Sequence, residues 1–226
     1  MSLDICMKHL LRTANRKRFL LALCQLTLLL CSCAPSRAGR QDSFWMDARI
    51  QQRIDSATDA AAVLNEAEAL LGQLDASMTR FLPTSDVSRI SANAGIAPVA
   101  VGEDTLAVLR FAKEFSENDI AALSVTIAPL SDLWNAPDPR VPSPAAVRAA
   151  LALVDDEQLM LKGDTAYLAR PGMALDVGAL GKGYACDQLI QLYRDRGVTA
   201  AIVSVGGSIA ALGRPEGRTY TIGIRD

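Results

Sequence analysis

Histidine is almost missing from this sequence: His9 is the only one in 226 residues. It sits in an amino-terminal stretch patterned like a processed leader, so the remainder offers no imidazole for a Ser/His/Asp triad or a histidine-containing zinc site. Cysteine is equally scarce. Four of the five, Cys6, Cys24, Cys31 and Cys33, fall in the same leader and leave Cys186 alone, too few for a disulfide framework or a thiolate metal centre. Cys186 reads as a small buried residue on a helix. Aromatic side chains make up only 5% of the chain, and residues 33–226 carry 18 basic against 24 acidic side chains. That weakly acidic, aromatic-poor composition argues against a nucleic-acid partner.

What the amino terminus does have is a basic cluster, Arg16, Lys17 and Arg18, followed by the apolar run FLLALCQLTLLL from Phe19 to Leu30. The run is too short to span a bilayer comfortably and reads as a secretory signal. It ends in Leu30, Cys31, Ser32 and Cys33, which resembles the lipobox of bacterial lipoproteins with Cys33 as the residue that takes the lipid. That reading implies a bacterial cell-envelope protein, lipid-anchored to a membrane and facing the periplasm. An ordinary signal peptide cut nearby and a short membrane anchor are the alternatives. Residues 34–56 follow as a polar tether whose secondary structure the pattern does not define.

Half of the residues are apolar, enough for one sizeable core in residues 57–226. From Thr58 to Met78, Leu64, Ala67, Leu70, Leu71 and Leu74 recur at helical spacing. Ser85 caps a short helix with Asp86 in its first turn, and a further helix runs from Glu103 or Asp104 to Glu117. The segment from Leu123 opens β-rich and becomes a proline-punctuated loop. Ser143 and Pro144 start a helix that reaches Val154. Leu159 to Leu161 and Ala166 to Leu168 form a hairpin. Met173 to Val177 reads as a strand, Tyr184 to Arg196 as a helix, and Ala201 to Val205 and Thr219 to Ile224 as strands. Aspartates 132, 138, 155 and 156 read as solvated turns and caps. The fold class is α+β, with helices packed on mixed sheets.

Residues 175–213 carry the strongest functional signal. Gly178, Gly181 and Gly183 lie between the strand at 173–177 and the helix, and Gly206 and Gly207 end the next strand, making a βαβ-like unit with a glycine cluster at each junction. Glycine lets backbone approach a ligand, and a helix N-terminus presents unpaired N–H groups and the positive end of a dipole, a combination suited to phosphate or pyrophosphate. The glycine spacing does not fit a dinucleotide fingerprint, and Lys182 is followed by Gly183 rather than the Ser or Thr of a P-loop.

The order TSDVSRI, VTIAPLSDLW, LDVGALGKGYACD, GVTAAIVSVGG and YTIGIRD resembles the ApbE family of FAD:protein FMN transferases, over roughly Glu66 to Asp226. The pattern D-hydrophobic-G-x-hydrophobic-x-K-G-Y-A-x-D is filled from Asp176 to Asp187. The resemblance implies magnesium-dependent transfer of FMN from FAD to a threonine of a target flavoprotein, with release of AMP. It implies that Asp176 and Lys182 contact FAD and that the Ala179 backbone carbonyl ligates Mg2+. Ala122, Leu123 and Ser124 line the flavin pocket, and Phe81 stacks near the isoalloxazine.

The chain also departs from that pattern. Leu123-Ser124 stands where the family usually has Phe-Asp or Met-Asp, Phe81 where it has Tyr or Trp, Ser91 where it has Asn, and Ser208 where it often has Asp. The family's later segment, with a histidine near an H-x-x-D-P motif and further magnesium ligands, has no counterpart before Asp226, so a carboxyl-terminal truncation is expected and no catalytic residue is assigned. A non-catalytic FAD-binding or assembly lipoprotein and an FAD pyrophosphatase are the alternative functions.

Overall fold

The computed structural model describes residues 38–117, 123–134 and 141–224. Two antiparallel sheets and six α-helices occupy these residues, which places the protein in the α+β class. The first sheet is built from hairpins. β1 (Gly39–Trp45) pairs with β2 (Ala48–Ser56) through a two-residue turn whose Met46 and Asp47 both have positive φ, 55° and 54°. That turn twists with the strands it joins. β6 (Ala200–Val205) and β7 (Ser208–Gly213) form a second hairpin through Gly206 and Gly207, again with positive φ. The strand order is β1-β2-β6-β7. Because β2 and β6 run antiparallel with Ile50 opposite Val205, both tight turns emerge at the same end of the sheet.

One face of this sheet is apolar and covered. Ile50, Ile54, Ala201, Val203 and Val205 are buried, while Arg49 and Arg53 of β2 face outward, the alternation expected of a half-buried strand. Helix α1 (Ala60–Met78) begins at Asp59, whose carboxylate accepts the Ala62 N–H at 3.2 Å, and buries Val63, Leu64, Ala67, Leu71, Leu74 and Met78. Helix α6 (Gly178–Asp195) buries Ala185, Cys186, Leu189, Ile190 and Tyr193. Burial pushes the Cys186 thiol up to about 11, and its Sγ donates to the Ser208 carbonyl.

A polar chain crosses this apolar contact. Glu68 of α1 accepts hydrogen bonds from Ser43 Oγ (2.9 Å), Trp45 Nε1 (2.9 Å) and Gln52 Nε2 (2.6 Å). Gln52, 1% exposed, accepts in turn from the hydroxyl of the fully buried Tyr193 at 2.6 Å. Burial, and then the Glu68 charge, raise the Tyr193 pKa above the usual phenol range.

The remaining elements form a second layer. Helix α2 (Asp86–Ala92) is capped by Ser85 Oγ accepting from Ser88 N at 3.0 Å, and α3 (Glu103–Glu117) follows the short β3 (Val99–Ala100). Helices α4 (Ala128–Ser131) and α5 (Pro144–Leu151) precede the hairpin of β4 (Leu159–Lys162) and β5 (Thr165–Leu168), which joins β3 in the order β3-β5-β4.

Several sequence expectations are corrected here. Among the described residues every pairing is antiparallel, so the sheets there are not mixed and residues 175–213 form no βαβ unit. Residues 173–177 form an irregular segment and not a strand. Their amide donors go instead to Ser91 Oγ, from Leu175 at 3.0 Å, and to the Val125 carbonyl, from Asp176 at 2.8 Å. The glycines from 178 to 183 lie inside α6 rather than in a turn before it. The expected tether at 34–56 holds the first hairpin, whose inward Ile50 and Ile54 belong to the core. Residues 123–127 contain no strand, and 219–224 pair with no strand, being tied by the Tyr220 hydroxyl to Asp55 at 2.7 Å. The leader with Cys33, and also Ala122 and Asp138, lie outside the described residues.

Replacing Tyr193 with Phe strands the Gln52 carbonyl oxygen in the core. The expected cost is about 1–3 kcal/mol, read as a lower urea midpoint with an unchanged slope; an unchanged midpoint would show that the buried chain contributes nothing net.

Candidate functional site

The two tight turns, the end of α1 and the start of α6 enclose a cavity of about 620 Å3, within the range of roughly 300–1,000 Å3 typical of small-molecule sites. The hairpin tips contribute Met46, Asp47, Gly206 and Gly207. The chain leaving α1 contributes Thr79, Arg80 and Phe81, and the entry to α6 contributes Asp176, Val177, Gly178, Gly181 and Lys182.

Close backbone approach explains two of these glycines. A Cβ on Gly206, where φ is 56°, would sit 2.8 Å from both Ala48 Cβ and Lys182 Cδ. On Gly181 a Cβ would come within 3.0 Å of the Met46 Cε. The first turn of α6 is therefore pressed against both hairpin tips, at the cost of about 0.5–1 kcal/mol for a glycine inside a helix.

Asp176 is held from two sides. Its Oδ1 accepts the Gly178 N–H at 2.9 Å, and its Oδ2 faces Arg80 Nη1 at 3.4 Å. The N-cap residue Val177 offers no side-chain cap, so the Asp176 carboxylate on the Gly178 N–H is what closes that end of α6. Lys182 Nζ donates to the Gly178 carbonyl at 2.9 Å, one turn back on the same helix. Arg80, with its side chain only 16% exposed, also pairs with Asp132, and its guanidinium lies 5.4 Å from the centre of the Phe81 ring. Phe81 itself is 73% exposed, an aromatic face left open at the cavity wall. The walls set Arg49, Arg80 and Lys182 against Asp47, Asp75 and Asp176, beside the first turn of α6 and a flat, exposed apolar ring, a mixed-charge lining that suits a polar ligand bearing an aromatic system.

Three of the sequence-assigned residues, Phe81, Asp176 and Lys182, come together on these walls although 95 positions separate the first from the second. Leu123, Ser124 and Ala179 are not among the lining residues. Ser124 turns instead to Asp156, donating at 2.7 Å. Sequence reasoning missed Met46, Arg80 and Asp156. Arg80 and Asp156 act through partners 96 and about 30 residues away, and no local pattern announces that. Asp155 is a cap, as expected, its carboxylate accepting the Glu157 N–H at 3.1 Å, and it also pairs with Arg170 at 3.1 Å; Asp156 is not a solvated turn residue but binds the 124–126 segment. Among the described residues no group of three or more His, Cys, Asp or Glu side chains could hold a metal ion, and no helix is long and apolar enough to cross a membrane.

Comparison with known proteins identifies relatives of one kind. An FAD:protein FMN transferase of Treponema pallidum is 32% identical over 188 residues, covering 75% of this chain and 52% of that protein. One from Klebsiella pneumoniae is 34% identical over 145 residues, covering 62% and 44%. The chain thus spans about half the length of the curated relatives it matches. Among solved structures, a flavinyl transferase ApbE from Pseudomonas stutzeri in its apo form superposes with a TM-score of 0.75 at 27% identity, over 83% of this chain and 61% of that one. The flavin transferase ApbE of Vibrio cholerae, at 24% identity and a TM-score of 0.78 over 84% of this chain and 64% of that one, shares the fold. With the ApbE family matched from residue 46 to residue 226, the chain belongs to that family.

Proposed function

We propose that the chain forms the FAD-binding part of an FAD:protein FMN transferase. One observation carries the reading: Phe81, Asp176 and Lys182, the residues that the family resemblance assigns to FAD, line a single cavity together with Arg80. In this reading Phe81 lies against the isoalloxazine, and Lys182, Arg80 and the α6 N-terminus face the pyrophosphate. Asp176 orients Arg80 and the helix entry.

In the transfer, a threonine hydroxyl of the target flavoprotein bonds to the FMN-side phosphorus. The bond from that phosphorus to the bridging oxygen breaks, AMP leaves with the bridging oxygen, and the hydroxyl proton passes to a base. Fixed positive charge beside the pyrophosphate stabilises the negative charge that grows on the leaving phosphate. Magnesium, when bound, would add to that charge stabilisation. The Ala179 carbonyl is the ligand implied for it. That carbonyl lies in the first turn of α6 and outside the cavity wall, and the described residues hold no three-ligand cluster. These residues do not by themselves fit a magnesium shell.

Two substitutions test the binding half of this reading. Lys182→Ala and Asp176→Asn are each expected to weaken FAD binding about tenfold or more, the worth of a charge-assisted contact, with little change in melting temperature. Equal destabilisation with unchanged FAD affinity would make both residues structural.

The transfer half is tested by mixing the protein with FAD, magnesium and an acceptor flavoprotein. Covalent flavin fluorescence on the acceptor and an equal amount of AMP are expected. FAD binding without transfer supports the assembly role instead, AMP without labelled acceptor supports a pyrophosphatase, and absence of FAD binding removes all three.

The leader supports lipid attachment at Cys33 and a periplasm-facing, membrane-anchored protein. In bacterial cells fed labelled palmitate, the protein should take up label and Cys33→Ser should not. Equal labelling of both would place the lipid elsewhere or reject it.

A further inference from the structure

Asp156 stands outside the cavity wall, yet its carboxylate collects four hydrogen bonds from one short segment. Oδ1 accepts from Ser124 Oγ (2.7 Å), Thr126 N (3.1 Å) and Thr126 Oγ1 (2.6 Å), and Oδ2 accepts from Val125 N (3.1 Å). The segment answers in kind, because Thr126 Oγ1 accepts the Asp155 N–H at 2.8 Å. Val125 is 1% exposed and Thr126 fully buried, so these bonds fix backbone packed into the interior. The carbonyl of Val125, in the centre of the anchored segment, is the acceptor for the Asp176 N–H at 2.8 Å. Asp176 otherwise lies in an irregular stretch without a strand partner, so this bond is what holds its backbone from that side.

We propose that Asp156 is a positioning residue for Asp176. Its carboxylate pins residues 124–126, and the Val125 carbonyl then sets the backbone from which the Asp176 side chain reaches Gly178 and Arg80. Ser124 Oγ accepts only one of the two backbone amides that Asp156 serves, the Thr126 N–H at 3.2 Å, and its hydroxyl is itself a donor to that carboxylate. The negative charge that organises this segment therefore comes from across the fold, 32 residues along the chain. Four donors converging on one carboxylate need an acceptor-only group, which neither an amide nor a hydroxyl can replace. The link to flavin rests on the FAD reading above; the link to the Asp176 backbone does not.

The test uses the full chain carrying Asp156→Ser, Asp176→Asn, both together, and the exchange S124D/D156S, which moves the carboxylate to the other side of the same contact. FAD affinity is read by flavin fluorescence, the Asp176 amide by hydrogen exchange, and folding by melting temperature. Asp156→Ser is expected to weaken FAD binding about tenfold and to speed exchange at the Asp176 amide. In the Asp176→Asn background it adds less than about twofold, and S124D/D156S recovers most of both losses. The proposal is overturned if Asp156→Ser lowers only the melting temperature, if its cost is the same in both backgrounds, or if the exchange of the two residues rescues neither readout. A parent protein that binds no FAD while Asp156→Ser still frees the Asp176 amide would refute the flavin reading and leave the positioning role standing.

Discussion

A half-buried carboxylate beside an apolar core needs its oxygens filled, and the packing of this protein is arranged around one whose oxygens are. Glu68 takes three donors, from β1 and β2, and Gln52 passes the chain on to Tyr193 of α6. These bonds tie α1, the four-stranded sheet and α6 in a single registration. Slipping either helix by one turn would leave buried polar atoms unpaired, a penalty larger than the net gain of making the bonds. Apolar contacts among Leu71, Leu74, Leu189 and their neighbours supply the bulk of the driving force, but they are non-directional and would tolerate other alignments.

That registration decides where the site falls. With α1 and α6 fixed against the sheet, the carboxyl end of one helix and the amino end of the other meet at the sheet edge from which both tight turns project. Gly181 and Gly206 allow α6 to approach these turns closely. A cavity with cations, a helix start and an open aromatic ring results from ends meeting ends, a common way to gather residues distant in sequence. Asp176 sits at the crossing of two support systems, Arg80 from the chain leaving α1 and the Asp156-anchored segment through Val125.

Much of the local structure was legible. Periodicity located α1 and α3, the Ser85 and Ser143 caps marked helix starts, and the Lys162 to Thr165 turn marked the β4–β5 hairpin. The errors share a cause. Residues 173–177 and 219–224 alternate or cluster apolar side chains as strands do, but strand formation needs a neighbour with free ladder groups, and here Ser91, Val125 and Asp55 supply other contacts. Glycines in a row suggest a loop by propensity. Tertiary packing overrode that preference at 178–183, where Gly181 lies against Met46 and Met78.

By itself the sequence determined the α+β class, most helix positions, the leader pattern and the family resemblance, because these are properties of spacing and residue type along the chain; the roles of Phe81, Asp176 and Lys182 are what that resemblance implies. Only the tertiary structure decided that both sheets are antiparallel, that Met46 and Arg80 share the cavity with those three, and that Asp156 binds the 124–126 segment rather than water. Each of those depends on partners tens of residues apart, and the distance between two side chains is set by how helices and sheet pack, which no local pattern encodes.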